Sequence, residues 1–179
     1  MGKSVIPDVS SGSRYAFSVC RIEPENNIHI ILEAFAQTPP MPLVFVGNWD
    51  NSEYGREQKA RYREIPHIHL SDPIYDQEKL NVIRGNCTVY LHGHSCGGTN
   101  PSLVEAMYLG LPVIAYDVNF NRETTEGKAL YFSSADELRT LCGKLSEIEL
   151  KRLAASMKEI ALRRYTWKRI SDCYSKLLS

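Results

Sequence analysis

The sequence lacks paired cysteines, a net charge and long apolar runs, and each absence argues against a class of protein. Its five cysteines are odd in number and no two lie two or three residues apart, which argues against a disulfide framework and a zinc ribbon. The 21 basic residues balance the 21 acidic ones, whereas a general nucleic-acid binder is expected to be basic. No apolar run approaches the ~20 residues of a membrane span, and the first residues lack the apolar core of a signal peptide. We therefore expect a cytoplasmic protein that binds no nucleic acid.

The 179 residues have the length of a single domain, and 43% of them are apolar, as is usual in a globular protein. The run Ser10-Ser11-Gly12-Ser13 has neither an apolar period nor bulky side chains. We therefore predict a flexible tail over residues 1–13 and one folded domain over residues 14–179.

Short apolar runs alternate with helical patterns through that domain. Strands are predicted over residues 15–20, 42–47, 67–70, 88–92, 112–116 and 129–132. Helices are predicted around 28–35 and over 53–63, 76–84, 101–109, 135–145 and 148–164, with another after residue 167. This alternation indicates an α/β fold, a Rossmann-like doubly wound parallel sheet with helices on both faces.

Ligands of such sheets bind beyond the carboxyl ends of the strands. The residues directly after each predicted strand are therefore the first candidates for a functional site. They are Arg21, Asn48, Asp72, His94 to Asn100, and Asp117.

The most informative of these segments is the glycine loop after the fourth strand. Gly97 and Gly98 precede Asn100, a good helix N-cap, and Pro101, which suits the first helical position. A glycine loop that opens a helix presents free N–H groups and the positive end of the helix dipole, and so favours a phosphate. The alternative is a tight turn that needs the conformational freedom of glycine.

Glu105 lies one turn into the same helix, among mostly apolar neighbours. Helical side chains lean toward the N-terminus, so its carboxylate is expected near the mouth of the glycine loop. An unpaired carboxylate is expensive to bury, and sugar hydroxyls are suitable donors for it. The alternative is a purely structural acid that bonds backbone amides or interacts with the helix dipole.

Several segments in order carry the motifs of a known family. The segment 19–28, VCRIEPENNI, is similar to that family's strand-to-helix turn GRL-x-PEKN, and 43–47 is similar to its strand L-x-I-V-G. The segment 105–115 is similar to EAMA-x-G-x-PVIA, and Tyr165-Thr166-Trp167 to an aromatic pair that opens the last helix. From Arg14 onward the chain thus resembles the C-terminal, donor-binding half of a family 4 glycosyltransferase of the two-lobed GT-B fold.

The resemblance implies a donor site for a nucleoside diphosphate sugar. It implies that Arg21 binds the diphosphate, that Glu105 holds the ribose, and that the backbone of Gly98, Thr99 and Asn100 contacts phosphate. His94 is expected near the donor as a polar group at a strand end, while the catalytic residues stay unknown.

Two residues depart from the pattern of the family. The first Glu of its Glu-x7-Glu motif is Gly97 here, which puts the usual contact with the donor sugar in doubt. The lysine of PEKN is Asn26 here, so one positive charge of the diphosphate clamp is missing.

The loop sequence GGTNPSL and the turn PENN are most similar to those of bacterial polysaccharide rhamnosyltransferases. The resemblance therefore implies the donor lobe of a retaining glycosyltransferase in polysaccharide or glycan biosynthesis, with rhamnosyl transfer as the reaction to expect. An N-terminal lobe with the glycan or lipid-linked acceptor is missing, so we expect the chain alone to be inactive. The alternative function is a non-catalytic Rossmann-like nucleotide-binding module.

Two further possibilities were weighed on the residues themselves. His92, His94 and Cys96 could suggest a metal site, but such spacing occurs by chance and the related family needs no metal, so no metal or other cofactor is expected. A spread of basic residues in the last helices is interpreted as a solvated face, with contact at the inner face of a membrane as the alternative. These residues are Lys151, Arg152, Arg163, Arg164, Lys168 and Arg169.

Overall fold

The computed structural model describes residues 13–37 and 39–166, which form a six-stranded parallel sheet with helices on both faces. The strands are β1 (Ala16–Val19), β2 (Leu43–Val46), β3 (Ile68–Ser71), β4 (Val89–His92), β5 (Val113–Tyr116) and β6 (Leu130–Phe132). The helices are α1 (Ile28–Ala36), α2 (Glu53–Tyr62), α3 (Gln77–Gly85), α4 (Pro101–Tyr108), α5 (Asn119–Thr124), α6 (Ala135–Lys144) and α7 (Glu147–Arg164). The predicted Rossmann-like fold class is confirmed.

The strand order is β3-β2-β1-β4-β5-β6, and every neighbouring pair is parallel. Chain order therefore reverses between β1 and β4, which pair through Ala16 with Val89 and through Phe17 with Tyr90. The connections that leave these two strands diverge to opposite sides of the sheet. This switch point opens a crevice at the carboxyl ends of β1 and β4, the usual position of a ligand in such a sheet.

The central strands are apolar because both of their faces are covered. All four residues of β2 are buried, as are all four of β4. One face packs against α1 and α6 through residues such as Leu32, Phe35 and Leu138. The other face packs against α3, α4 and α7, with Ile83, Met107 and Ile160 in its core. Strands buried on both faces are expected to be continuous apolar runs, as β2 is and as β4 is apart from His92 at its end.

Side-chain caps fix where the helices begin. The oxygens of Ser52, Asp76, Asn100, Ser134 and Ser146 each accept a hydrogen bond from a backbone N–H two or three residues later. Such caps satisfy donors that the first helical turn leaves free. Five of the seven α-helices in the described ranges therefore begin at a residue whose side chain caps the first turn.

The predicted strands and the five predicted helices with stated bounds agree with the structure to within one residue at either end. Two short elements were not predicted: a 3₁₀ turn over Pro24–Asn26 and helix α5. Neither is long enough to show an apolar period. The predicted tail up to residue 12 and the predicted helix after residue 167 lie outside the described residues. Within the described ranges, no helix has both the length and the apolar character that crossing a bilayer requires.

Candidate functional site

A cavity of about 140 Å³ lies in the crevice at the carboxyl ends of β1 and β4. Three of the predicted site residues line it: Arg21 after β1, His94 after β4, and Asn100 at the start of α4. The other lining residues are Ser18, Val19, Cys20, Asn26, Tyr90, Leu91, His92 and Ser102. The cavity therefore brings together the end of β1, the end of β4 and the first turn of α4.

The two loops that form the cavity are joined by hydrogen bonds. The backbone N–H and the side-chain hydroxyl of Ser95 both donate to the carbonyl of Glu25, at 2.9 and 2.8 Å. The Asn27 side chain donates to the carbonyl of Gly93 at 2.8 Å. A Cβ atom at position 93 would lie 2.1 Å from the Asn26 carbonyl oxygen, so only glycine permits this close approach. The loops after β1 and β4 consequently form one unit.

Asn26 orients the imidazole of His94 within that unit. The Asn26 amide nitrogen donates to the carbonyl of Arg21 at 2.7 Å, so its Oδ1 faces His94 and accepts from Nδ1 at 2.7 Å. The other ring nitrogen, Nε2, faces Gly97, where an added Cβ would lie 4.0 Å from it. Gly97 has φ +85°, a conformation that disfavours any other residue. The two departures from the family pattern, Asn26 and Gly97, thus lie on either side of one imidazole.

His92 adds an unpartnered polar group to the wall of the cavity. Its side chain is buried, and its ring stacks on Tyr90 with centroids 6.1 Å apart. Within residues 13–37 and 39–166, its Nε2 has no hydrogen-bond partner. Burial, with a smaller contribution from nearby His94, lowers the pKa of His92 to about 3. His92 is therefore a neutral imidazole at physiological pH, and a ligand in the cavity can give it a partner.

The glycine loop leads into α4 as the sequence predicts. Asn100 is the N-cap, its Oδ1 accepts from the N–H of Ser102 at 3.0 Å, and Pro101 is the first helical residue. Gly98 and Thr99 lie on the exposed part of the loop and do not line the cavity. An added Cβ at Gly98 would meet no atom within 4 Å, so the backbone there is open to a ligand.

Glu105 lies outside the cavity and has a protein partner that the sequence reasoning did not anticipate. Its Oε2 accepts a hydrogen bond from Nη1 of Arg84, which comes from the end of α3. The side chain of Arg84 is 3% exposed and that of Glu105 is 53% exposed. The carboxylate is therefore partly satisfied by the protein and partly open to solvent.

A second cavity, of about 280 Å³, adjoins the first one. It shares Val19, Cys20 and Arg21 with the first cavity and extends past the ends of β2 and β3. Its remaining lining residues are Val46, Gly47, Asn48, Pro73, Ile74 and Tyr75. Ligand pockets usually measure ~300–1,000 Å³, so the two adjoining cavities suit one elongated ligand better than two separate small ones.

Two of the predicted strand-end residues are instead engaged in surface ion pairs. Asp72 lies 3.6 Å from the ammonium group of Lys59. Asp117 accepts two hydrogen bonds from Arg122, at 2.5 and 2.7 Å, and this pairing lowers the pKa of its carboxyl group. Neither aspartate lines the two cavities described above, so the structure places them outside the site.

The residues considered for a metal do not form a cluster of ligands. The rings of His92 and His94 have centroids 6.1 Å apart, and Cys96 is exposed on the loop. In the part of the chain that the structure describes, no three His, Cys, Asp or Glu side chains are grouped as a metal site requires. The expectation that no metal is needed stays a prediction.

The basic residues of the last helix are largely paired with acids. Arg152 lies 3.2 Å from Glu149, and Arg163 and Arg164 lie 2.5 and 3.5 Å from Glu126. Residues 168 and 169 lie outside the described residues. These ion pairs reduce the positive charge that the helix presents, as expected of a solvated face.

Sequence reasoning missed the contribution of three side chains: Arg84, Asn26 as a bridge, and Asn121. Asn121 is buried and donates to the carbonyls of His94 and Tyr116, which holds the loop after β4 against β5.

A sequence signal for Arg84 was available, because Arg84 lies on the same buried face of α3 as Leu80 and Ile83. A charged residue on an apolar stripe requires a counter-charge. Asn121 gave no such signal, since helix α5 is too short for a pattern.

Comparison with known proteins identifies related sequences and folds. A family model described as "Glycosyl transferases group 1" matches residues 5–160. A curated relative from Xenopus tropicalis, Glycosyltransferase 1 domain-containing protein 1, is 24% identical over 168 residues, which cover 89% of this chain and 48% of that protein.

Solved structures show the same fold. Anabaena Alr3699/HepE, crystallised in complex with UDP-glucose, superposes with a TM-score of 0.79 at 20% identity over 93% of this chain and 49% of its own. The C-terminal domain of a glycosyl transferase group 1 family protein, LpcC, from Francisella tularensis superposes with a TM-score of 0.69 at 15% identity over 86% of this chain and 87% of its own. The chain spans about half the length of the Xenopus relative and of the Anabaena protein.

Proposed function

The chain belongs to the glycosyl transferases group 1 family, and we propose that it forms the donor-binding lobe of a glycosyltransferase. The observation that carries this proposal is the cavity at the switch point, where Arg21, His92, His94 and the first turn of α4 converge. A helix N-terminus and an arginine are suited to bind an anion. The imidazole of His92 is uncharged, so it does not repel the Arg21 guanidinium in the same cavity. The ligand that fits this combination is a nucleoside diphosphate sugar.

The diphosphate is held by Arg21 and by the backbone that opens α4. Arg21 is exposed at the end of β1, and its planar donor fork matches two phosphate oxygens. The N–H groups of Gly98, Thr99 and Asn100 provide the donors that a lysine would otherwise supply in the family. Asn26 gives no charge, but it orients His94 in the same cavity.

The nucleoside extends from Arg21 into the second cavity. Its base lies between the ends of β2 and β3, against Ile74 and Tyr75, and the exposed part of the Glu105 carboxylate accepts from the ribose hydroxyls. Tyr75 is 90% exposed and has a free ring face for stacking. The structural neighbour solved with UDP-glucose supports uridine as the base to test first.

His94 takes over the role of the family's first glutamate, whose position is occupied by Gly97 in this chain. Because its Nδ1 donates to Asn26, the other ring nitrogen, Nε2, is the acceptor beside Gly97. A carboxylate is also an acceptor, so the imidazole can bind the same kind of sugar hydroxyl. Any donor sugar with a hydroxyl in reach of Nε2 is compatible with this contact, including rhamnose.

The chemistry of this lobe is positioning and charge stabilisation. Arg21 and the N–H groups at the start of α4 stabilise the negative charge that builds up on the departing diphosphate. A second lobe, which the family places opposite this one, provides the contacts to a glycan or lipid-linked acceptor. We propose retention of anomeric configuration and a role in polysaccharide biosynthesis, because the resemblance implies both. The 179-residue chain alone is expected to bind donor and to transfer no sugar.

Calorimetry with the full chain tests the proposal. We compare UDP-glucose, deoxythymidine diphosphate rhamnose and GDP-mannose with UDP, uridine and ATP, first for the wild type and then for His94→Ala. A nucleoside diphosphate sugar should bind, and His94→Ala should weaken it more than it weakens the matching nucleoside diphosphate. Stronger binding of ATP than of every sugar nucleotide would favour the alternative, a non-catalytic nucleotide-binding module.

A further inference from the structure

Arg84 is a buried cation with a single carboxylate partner. Its side chain is 3% exposed, and its guanidinium donates to Glu105 through Nη1. Its Nε atom has no hydrogen-bond partner among the residues that the structure describes. A buried charge needs an opposite charge, because the loss of hydration is otherwise not offset. The position of Glu105 is therefore tied to that of Arg84.

The contact leaves half of the Glu105 carboxylate available. Arg84 contacts Oε2, and no protein hydrogen bond to Oε1 occurs among the described residues. The Glu105 side chain is 53% exposed, whereas its partner is almost completely enclosed. One oxygen is thus held from inside the fold, while the other is presented outward.

Glu105 lies on the side of α4 that meets the cavity. Ser102 lines the cavity, and Glu105 follows it by three residues on the same helix. Residues three apart on a helix are neighbours on its surface. The carboxylate held by Arg84 is consequently next to the position where the nucleoside must pass.

We propose that Arg84 is a positioning residue for ribose recognition: it fixes the Glu105 carboxylate through Oε2 so that Oε1 accepts from the ribose hydroxyls. This inference rests on the proposed role of Glu105 in the donor site. A solvated glutamate samples several rotamers, and ordering one on binding costs affinity. The buried guanidinium removes that cost before the ligand arrives.

A merely structural pair makes a different prediction. In that case Glu105 only neutralises Arg84, and substitution of either residue lowers stability without changing which sugar ring the protein prefers. A positioning role instead makes the preference for ribose over a ring without hydroxyls depend on both residues. The preference is a ratio of two affinities, so a general loss of folded protein does not alter it.

The experiment measures calorimetric binding of UDP and of 2′,3′-dideoxy-UDP to the full chain. The variants are Arg84→Met, which keeps a long apolar side chain, Glu105→Gln, and the double variant. Arg139→Met is the matched control, because Arg139 also has a buried, unpartnered Nε and an ion pair, with Asp136, but lies on α6. If Arg84→Met melts below the assay temperature, Arg84→Lys is measured in its place under the same criterion.

For the wild type and for Arg139→Met we expect UDP to bind at least ~10-fold more tightly than the dideoxy analogue, the effect of a hydrogen bond to a charged group. Arg84→Met and Glu105→Gln should each reduce the affinity ratio of UDP to dideoxy-UDP to less than ~3, with little change in the affinity for dideoxy-UDP. The double variant should reduce this ratio no further than either single variant does. If Arg84→Met keeps the wild-type ratio while Glu105→Gln loses it, the positioning role of Arg84 is overturned and the role of Glu105 stands. If Glu105→Gln keeps the wild-type ratio, the assignment of Glu105 to the ribose hydroxyls is overturned as well.

Discussion

The imidazole of His94 is held by Asn26, whose Oδ1 lies 2.7 Å from the His94 Nδ1 atom. This contact joins the loop after β1 to the loop after β4 across the switch point of the sheet. It also fixes which ring nitrogen faces the glycine loop. A residue that carries no charge therefore determines which nitrogen of the neighbouring ring faces Gly97.

The first prediction concerns this contact. Asn26→Ala should release the His94 ring and reduce the excess of the Nδ1–H tautomer, which nitrogen NMR of the histidine rings measures directly. Affinity for UDP-glucose should fall by ~3–10-fold, a typical effect of losing one or two neutral hydrogen bonds. Asn81→Ala serves as the control, because Asn81 is exposed on α3 and its side chain accepts a hydrogen bond from Gln77. An unchanged tautomer in Asn26→Ala would show that the amide does not orient the ring.

The second prediction concerns the charge at the end of β1. Arg21→Ala should weaken UDP by about 1.5–3 kcal/mol, since a hydrogen bond to a charged group contributes that much. Binding of uridine should change little, because the nucleoside lacks the phosphates that the guanidinium meets. Arg63→Ala, which removes another exposed arginine from the end of α2, is the control. Equal losses for UDP and uridine by calorimetry would remove Arg21 from the diphosphate site.

The third prediction is a loss of stability in acid that depends on His92. The folded protein keeps His92 neutral down to a pKa of about 3, whereas the unfolded chain protonates it near the ordinary histidine pKa of about 6.5. Between those values only the unfolded state gains the proton, so stability decreases as the pH falls, by about 1.4 kcal/mol per pH unit.

Urea unfolding at pH 7 and pH 5 tests this linkage. From pH 7 to pH 5, the free energy of unfolding should fall by about 2 kcal/mol more for the wild type than for His92→Phe. His29→Phe, at an exposed ring, should behave as the wild type does. Parallel pH profiles for the wild type and His92→Phe would mean that His92 is protonated in the folded protein.

The fourth prediction concerns the two glycines of the loop. Gly97 has φ +85°, so Gly97→Ala should destabilise the fold by about 1–2 kcal/mol, the cost of a left-handed conformation for a residue with a Cβ. Gly98 has no positive φ and has open space around its Cα, so Gly98→Ala is the matched control with a change below about 0.5 kcal/mol. Thermal unfolding of both variants measures the difference. Similar losses at the two positions would contradict the conformational argument.

The fold could be predicted from the sequence because its signals are local. Leu43–Val46 is apolar throughout, Val89–His92 is apolar except for His92, and both are of strand length. Polar N-caps such as Asn100 mark the starts of helices. The position of Arg21 at the ligand edge followed from the end of β1. These features depend on neighbours in the chain, which the sequence displays.

The site was only partly predictable because its main contacts join residues far apart in the chain. Asn26 and His94 are 68 residues apart, and Arg84 and Glu105 are 21 apart. The sequence also offered Asp72 and Asp117 as candidates with the same justification as Arg21. The structure differs there because Lys59 and Arg122 bind these carboxylates. Position after a strand identifies the edge of the sheet but not which side chains turn into the cavity.

A crystal structure of the chain soaked or grown with UDP-glucose tests the central claim most directly. The account predicts the diphosphate in the cavity between β1 and β4, with phosphate oxygens in hydrogen-bond distance of the Arg21 guanidinium and of the N–H groups that open α4. It also predicts the ribose beside Glu105 and the sugar within reach of His94 Nε2. A nucleotide bound elsewhere on the sheet, or a diphosphate that contacts neither Arg21 nor the start of α4, would contradict it.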